Sequence, residues 1–226
     1  MVKLTKEFYL PYLLHIITYW SLALIFYFAD IYLNPSVYKI QGKSSKNKYD
    51  VKIFTNIIIN HTLILIPLSL IHNFISQSSF LDPLPNYKIC LLQLILNYFI
   101  HEIQFYCTHR LLHTHYGFKY IHKVHHEYNS PIGFSAQYAH PIEFIILFVQ
   151  TTNGALILNM HPYLTCIWII LVNIVNVISH SGYKFSFYDN SYHDNHHRLF
   201  KYNYGSNQLI EKYVFGTSYN GPQISN

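Results

Sequence analysis

Charge is what this chain of 226 residues has least of: Asp, Glu, Lys and Arg together make up 11% of it, against about 25% in an ordinary soluble domain. Much of the surface therefore does not face water. No run of five or more Lys and Arg residues occurs, and the formal charge is only +5, which leaves nucleic-acid binding without support and fits anionic lipid headgroups better. Cysteine is almost missing. Cys90, Cys107 and Cys166 form no CxxC pair, lie in or beside apolar segments, and exclude a disulfide framework by their odd number. There is no internal repeat and no low-complexity tract. A secretory leader is not indicated, because the first apolar stretch is too long and lacks a small-residue cleavage site.

What is present is apolar and aromatic. The apolar share is 51% at a mean hydropathy of +0.14, too low for a pure membrane bundle, which predicts a membrane part joined to a polar part. Apolar stretches approaching the roughly 20 residues of a span lie at about 10–33, 53–76, 87–107, 142–159 and 163–179. The expectation is an all-α integral membrane bundle of four to five helices. Residues 1–86 would form N-terminal membrane segments with a basic linker, 87–217 a catalytic unit, and 218–226 a tail. The linker at 34–52 carries five lysines and reads as cytoplasmic by the positive-inside rule. From there the second and third stretches run out and back, and so do the fourth and fifth. Five crossings put Lys3 and Lys6 outside. The sequon at Asn60–Thr62 lies within an apolar stretch and is discounted.

Against this background histidine is abundant, at 16 residues. His109 and His113 are four apart. His122, His125 and His126 follow an i, i+3, i+4 spacing, and His193, His196 and His197 repeat it. In a helix each trio can aim its rings at one point. Packed imidazoles without metal would each need a hydrogen-bond partner and would resist protonation; a bound cation removes both difficulties. Eight histidines are twice the need of one tetrahedral ion, and His180 makes nine, so two ions with open positions are expected. All-nitrogen ligation suits Fe, Zn, Cu or Ni. A lipid's unreactive C–H bonds call for activated dioxygen and hence iron, with zinc as a substitute in purified protein. The topology brings all nine to one membrane face. Isolated histidines in apolar stretches (His15, His61, His72, His161) read as structural. Asp194 and Glu127 read as solvated charges at least as readily as partners of the neighbouring histidines.

The stretches "HRLLH", "HKVHHEYNSPIGFSAQYAHPIE", "SHSGYKF" and "YHDNHHRLFKYNYGSNQLIEKYVFGT" resemble the membrane fatty acid hydroxylase/sterol desaturase superfamily over about residues 90–217, and within it the C4-methylsterol oxidases. The resemblance implies a four-helix membrane bundle with a cytosolic dimetal cap in the endoplasmic reticulum. It also implies dioxygen as oxidant, electrons from cytochrome b5 or a similar donor, and a sterol or other lipid as substrate. By matching motif, His109 and His113 are ligands from the first box, and His122, His125 and His126 from the second. His193, His196 and His197 come from the third, and His180 from the "SHSGY" connector. Asn176 stands where some members carry a further histidine and is expected to hold a water at the catalytic centre. His140 is expected in the substrate wall or behind a ligand. Glu102, seven residues before His109, is expected to support a ligand ring. Fatty-acid or sphingolipid hydroxylation, C5 sterol desaturation and aldehyde formation are alternatives within the same chemistry. A membrane metal-binding or transport protein is the alternative outside it, disfavoured because the ligands lie at helix ends instead of at the midplane of broken helices.

Overall fold

A computed structural model describes residues 6–42, 49–76, 78–186, 189–206, 208–219 and 221. The fold is all-α. No strand occurs among the described residues, and one isolated bridge joins Lys39 to Tyr183. The five apolar stretches are helices: α1 (Lys6–Tyr32), α2 (Val51–Ile75), α3 (Tyr87–Leu112), α4 (Pro141–Ile157) and α5 (Pro162–His180). The polar helix α6 (Ser191–Leu199) follows. Of these, α1, α2 and α5 are long and apolar enough to cross a membrane. Helix α4 is apolar but shorter, and α3 falls short because it carries Asn97, His101 and Glu102, all buried.

Local chemistry sets the helix starts. Asp50 accepts the Ile53 amide at 3.0 Å, and Asn86 accepts those of Lys88 and Ile89 at 3.1 Å. Pro141 and Pro162 open α4 and α5 where a missing N–H costs nothing. Within α2, residues Asn60–Leu65 form a π-turn immediately before Pro67. Proline cannot donate to the carbonyl four residues back, and the wider turn absorbs that gap.

The helices alternate in direction, so one end of each meets the histidines. The first turn of α2 is tied there by Lys52 to Glu127 at 2.5 Å, and the start of α4 by Glu143 to His122 at 2.8 Å. Helices α3 and α5 end in His109 and His180. At the opposite end the loop after α2 meets the α4–α5 hairpin, where His161 contacts the Asp82 carbonyl at 3.1 Å and Phe80 packs on Tyr163. The buried core (Tyr19, Ala23, Ile53, Ile57, Phe134, Val177) lies between α1, α2 and α5. Large apolar side chains outside it, such as Ile25, Leu63, Phe74 and Leu91, are exposed as lipid contact requires.

One of the linker's five lysines, Lys39, is withdrawn from solvent. It is buried, pairs with Asp30 of α1 at 2.6 Å and donates to the Ser181 carbonyl at 2.7 Å, pinning the linker onto the stretch after His180. Lys3, Lys43, Lys46 and Lys48 lie outside the described residues, as does the 218–226 tail except for 218, 219 and 221.

Candidate metal centre

The nine predicted histidines converge, in two groups. His109, His113, His122, His126 and His196 form one; His125, His180, His193 and His197 form the other. Each HxxHH trio is therefore split. Its i and i+4 members join one group and the i+3 member joins the other, contrary to the expectation that a trio aims at one point. Successive helical residues diverge by about 100° around the axis, so the adjacent pairs 125–126 and 196–197 cannot face the same ion. The segment holding His122, His125 and His126 is moreover built of a π-turn and a 3-10 turn, and the third trio sits on α6.

For five of the nine rings the hydrogen bonds fix where the proton sits. The Nδ1 of His109 donates to the Tyr204 carbonyl at 2.6 Å, that of His125 to Tyr138 at 3.1 Å, that of His180 to Asn176 at 2.8 Å and that of His196 to Tyr202 at 2.7 Å. His122 Nδ1 donates to Glu143 Oε1 at 2.8 Å. Carbonyls and carboxylates only accept, so Nδ1 holds the hydrogen and Nε2 presents a lone pair. These Nε2 atoms face one another. In the first group the 109–122, 113–122, 113–126, 113–196 and 122–126 separations are 3.1, 3.0, 3.2, 3.1 and 3.0 Å. In the second, 125–180, 180–193 and 193–197 are 3.1, 3.0 and 3.1 Å. In the 109–122 and 125–180 contacts both protons sit on Nδ1, so lone pair faces lone pair, which is repulsive unless a cation lies between. With metal–nitrogen bonds of about 2.1 Å, ligand atoms around one ion stand about 3.0–3.4 Å apart. The residues present therefore fit a metal ion in each group. Burial pushes the His113 imidazole down to about 2 and that of His122 to about 3, and it lowers His125, His126, His193, His196 and His197 as well. The rings are neutral and ready to ligate.

Sequence reasoning missed two acids that the fold puts around this centre. Glu143, in the "AHPIE" stretch, is buried and takes the His122 ring. Its signal was an acid in the first turn of an apolar helix, costly unless paired. Glu211 is fully buried and accepts the amides of Tyr204 and Gly205 at 2.9 and 2.6 Å. Glu102 accepts the Ser206 amide at 2.9 Å and the Ser206 hydroxyl. Glu102 thus holds the loop whose Tyr204 carbonyl receives His109. A Cβ at Gly205 would lie 3.0 Å from the Glu102 carboxylate and 3.1 Å from that of Glu211, so both acids would have to give by a few tenths of an ångström. Asp194 is buried and bound by the Gln41 amide at 3.1 Å, so the reading of it as a solvated charge is corrected. Glu127, by contrast, is a surface partner of Lys52. Asn176 donates to the Ala136 carbonyl at 3.1 Å while its own carbonyl holds His180. His140 caps α4 by accepting the Ile142 amide at 3.2 Å and belongs to neither histidine group.

A cavity of about 420 Å³ opens from the histidines into the helix bundle. Its wall includes His109 and Tyr98, eleven residues apart on α3, so it runs about 16 Å along the bundle at 1.5 Å per residue. Phe105, Phe144, Leu147 and Trp168 give it an apolar lining.

The comparisons agree with this geometry. The family described as fatty acid hydroxylase matches residues 94–217. A very-long-chain aldehyde decarbonylase of Oryza sativa is 31% identical over 80% of this chain and 74% of its own length. Methylsterol monooxygenase 2-1 of Arabidopsis thaliana is 32% identical over 80% of this chain and 77% of its own, and its 2-2 counterpart is 31% identical over 91% and 83%. No solved structure matches the chain. Two histidine groups that could each hold a metal ion, set over an apolar cavity, together with the family match and these relatives, mark the chain as a member of the fatty acid hydroxylase family.

Proposed function

We propose that this protein is a membrane monooxygenase that oxidises the C4-methyl group of sterol intermediates with dioxygen and electrons from a cytochrome b5-type donor. The observation that carries the reading is the opening of both histidine groups onto one apolar cavity within the helix bundle. The methylsterol monooxygenases among the relatives support the substrate class. His109, His113, His122, His126 and His196 would hold one iron ion, and His125, His180, His193 and His197 the other, with zinc as a substitute. Iron held there supplies the dioxygen activation that an unactivated C–H bond requires. In balance, substrate, dioxygen, two electrons and two protons give the alcohol and water.

The chain's own residues do the rest. The apolar wall excludes bulk water and orients the lipid. Glu143 fixes the His122 ring, and Glu102 with Glu211 fixes the loop that aims His109; these are positioning residues. Asn176, with its amide nitrogen committed to Ala136, offers Oδ1 to a water beside His180. His140 sets the start of α4. Residues 87–217 form the catalytic unit, carried in the endoplasmic reticulum membrane with the histidines toward the cytosol.

A second reading, conversion of long-chain aldehydes, is favoured by the name of the rice relative. Expression in cells whose own C4-methylsterol oxidase is deleted separates the two. Loss of the accumulated 4,4-dimethyl sterols is the expected outcome. Their persistence beside a membrane-bound protein carrying two metal ions would sink the sterol reading and leave the family assignment intact.

A further inference from the structure

The cavity wall holds many polar side chains beside its apolar ones, and several are already engaged. Thr151 and Thr152 donate back to carbonyls of their own helix at 2.8 and 3.0 Å. Gln137 and Asn173 have both amide ends bonded, to His15, His61 and each other and to the Ile169 carbonyl. Gln150 differs. One end of its amide meets the Thr108 hydroxyl at 2.7 Å, and among the described residues the other end has no hydrogen-bond partner. Gln150 is 4% exposed and lines the cavity, which puts that end within reach of the space a lipid would fill. Its backbone is anchored as well, because its carbonyl receives His101 Nδ1 at 3.1 Å. Thr108 directly precedes His109, a member of the five-histidine group.

We propose that Gln150 is a specificity-determining residue that receives a hydroxyl group on the substrate, carried by the ring carbon next to the one that bears the oxidised methyl group. The inference rests on the sterol reading above and extends it to one residue. A buried amide end left unmatched by the ligand penalises a purely apolar lipid. A hydroxyl both donates and accepts, so it satisfies the amide whichever of Nε2 and Oε1 points inward. In a 4-methylsterol the C3 hydroxyl sits on the ring carbon adjoining C4. In a straight-chain aldehyde the oxygen sits on the reacting carbon itself, out of register with such a contact.

The test uses the full chain in membranes lacking their own oxidase, with a 4,4-dimethyl sterol and its 3-deoxy analogue as substrates. The wild type is expected to favour the hydroxylated sterol in kcat/KM by about ten- to a hundredfold. Gln150→Met should bring the two within about threefold by slowing the hydroxylated sterol. The isosteric Thr108→Val, which frees the amide to turn, should erode the preference in the same direction and serves if Gln150→Met does not fold. Equal losses on both substrates, or a preference that survives both changes, overturns the assignment. If the wild type oxidises neither sterol, the functional reading has failed. The contact is then judged by binding of the same two sterols to purified protein, read by quenching of Trp168 in the cavity wall. Discrimination lost in Gln150→Met supports it, and discrimination retained overturns it.

Discussion

Protons on single nitrogens decide which histidines of this chain can serve a metal. In the centre His109, His125, His180 and His196 give Nδ1–H to carbonyls, His122 gives it to Glu143, and all five turn Nε2 inward. In the bundle the order is reversed: His61 accepts the Trp20 indole at Nδ1 and turns Nε2 to the Gln137 carbonyl oxygen. His15 accepts Asn173 at Nδ1 and does the same. Both rings are saturated without metal, as the structural reading of His15 and His61 expected. Glu143→Gln keeps an acceptor for His122 but removes the carboxylate's charge, and it should weaken metal retention about 10- to 100-fold. Chelator titration of the purified protein, counted as ions per chain, measures this; unchanged retention would show Glu143 to be inert. The histidines were legible in the sequence because their spacing is local. Glu143 and Glu211 were not, since Glu143 finds His122 across 21 positions and Glu211 works through backbone amides that no pattern of side chains announces.

Among the elements, the least legible is the stretch 132–139, a short 3-10 helix (Gly133–Gln137) with extended ends lodged between α1, α2 and α5. Irregular backbone at that depth persists only where protein groups satisfy it, and here they come from every side. Tyr19 donates to the Phe134 carbonyl, Asn176 to Ala136, His125 to Tyr138, and Asn56 and Asn60 both to Ala139, at 2.8–3.1 Å. Asn60, the discounted sequon residue, is fully buried in this role. The five apolar stretches could be read from composition because a helix hydrogen-bonds within itself. This stretch could not, because its partners lie 13 to 115 residues away. Asn56→Leu would strand the Ala139 amide, which now donates to Asn56 Oδ1 at 3.2 Å. The expected cost is about 1–3 kcal/mol of stability, together with weaker metal binding by the group containing His125. A detergent-solubilised melt and a metal count test the two effects separately. A wild-type midpoint would refute the first.

For the whole molecule, the buried imidazoles predict a direction of pH dependence. His113, His122, His125, His126, His193, His196 and His197 all hold folded-state values below the about 6.5 of an unfolded chain. Their contribution to stability is therefore present above about pH 6.5. It is lost as the pH falls below that, where the unfolded chain takes up protons the fold refuses. The melting midpoint of metal-free protein should drop between pH 7 and pH 5; a flat profile would contradict the burial of the centre. The cavity between membrane-spanning helices carries a consequence for kinetics. A lipid that reaches the histidines from within the bundle is counted per lipid of the bilayer, not per litre of buffer. Diluting loaded vesicles with buffer should leave turnover unchanged, whereas diluting the substrate with inert phospholipid should lower it in proportion. For this protein the working concentration is a mole fraction, and the solvent of the reaction is the membrane.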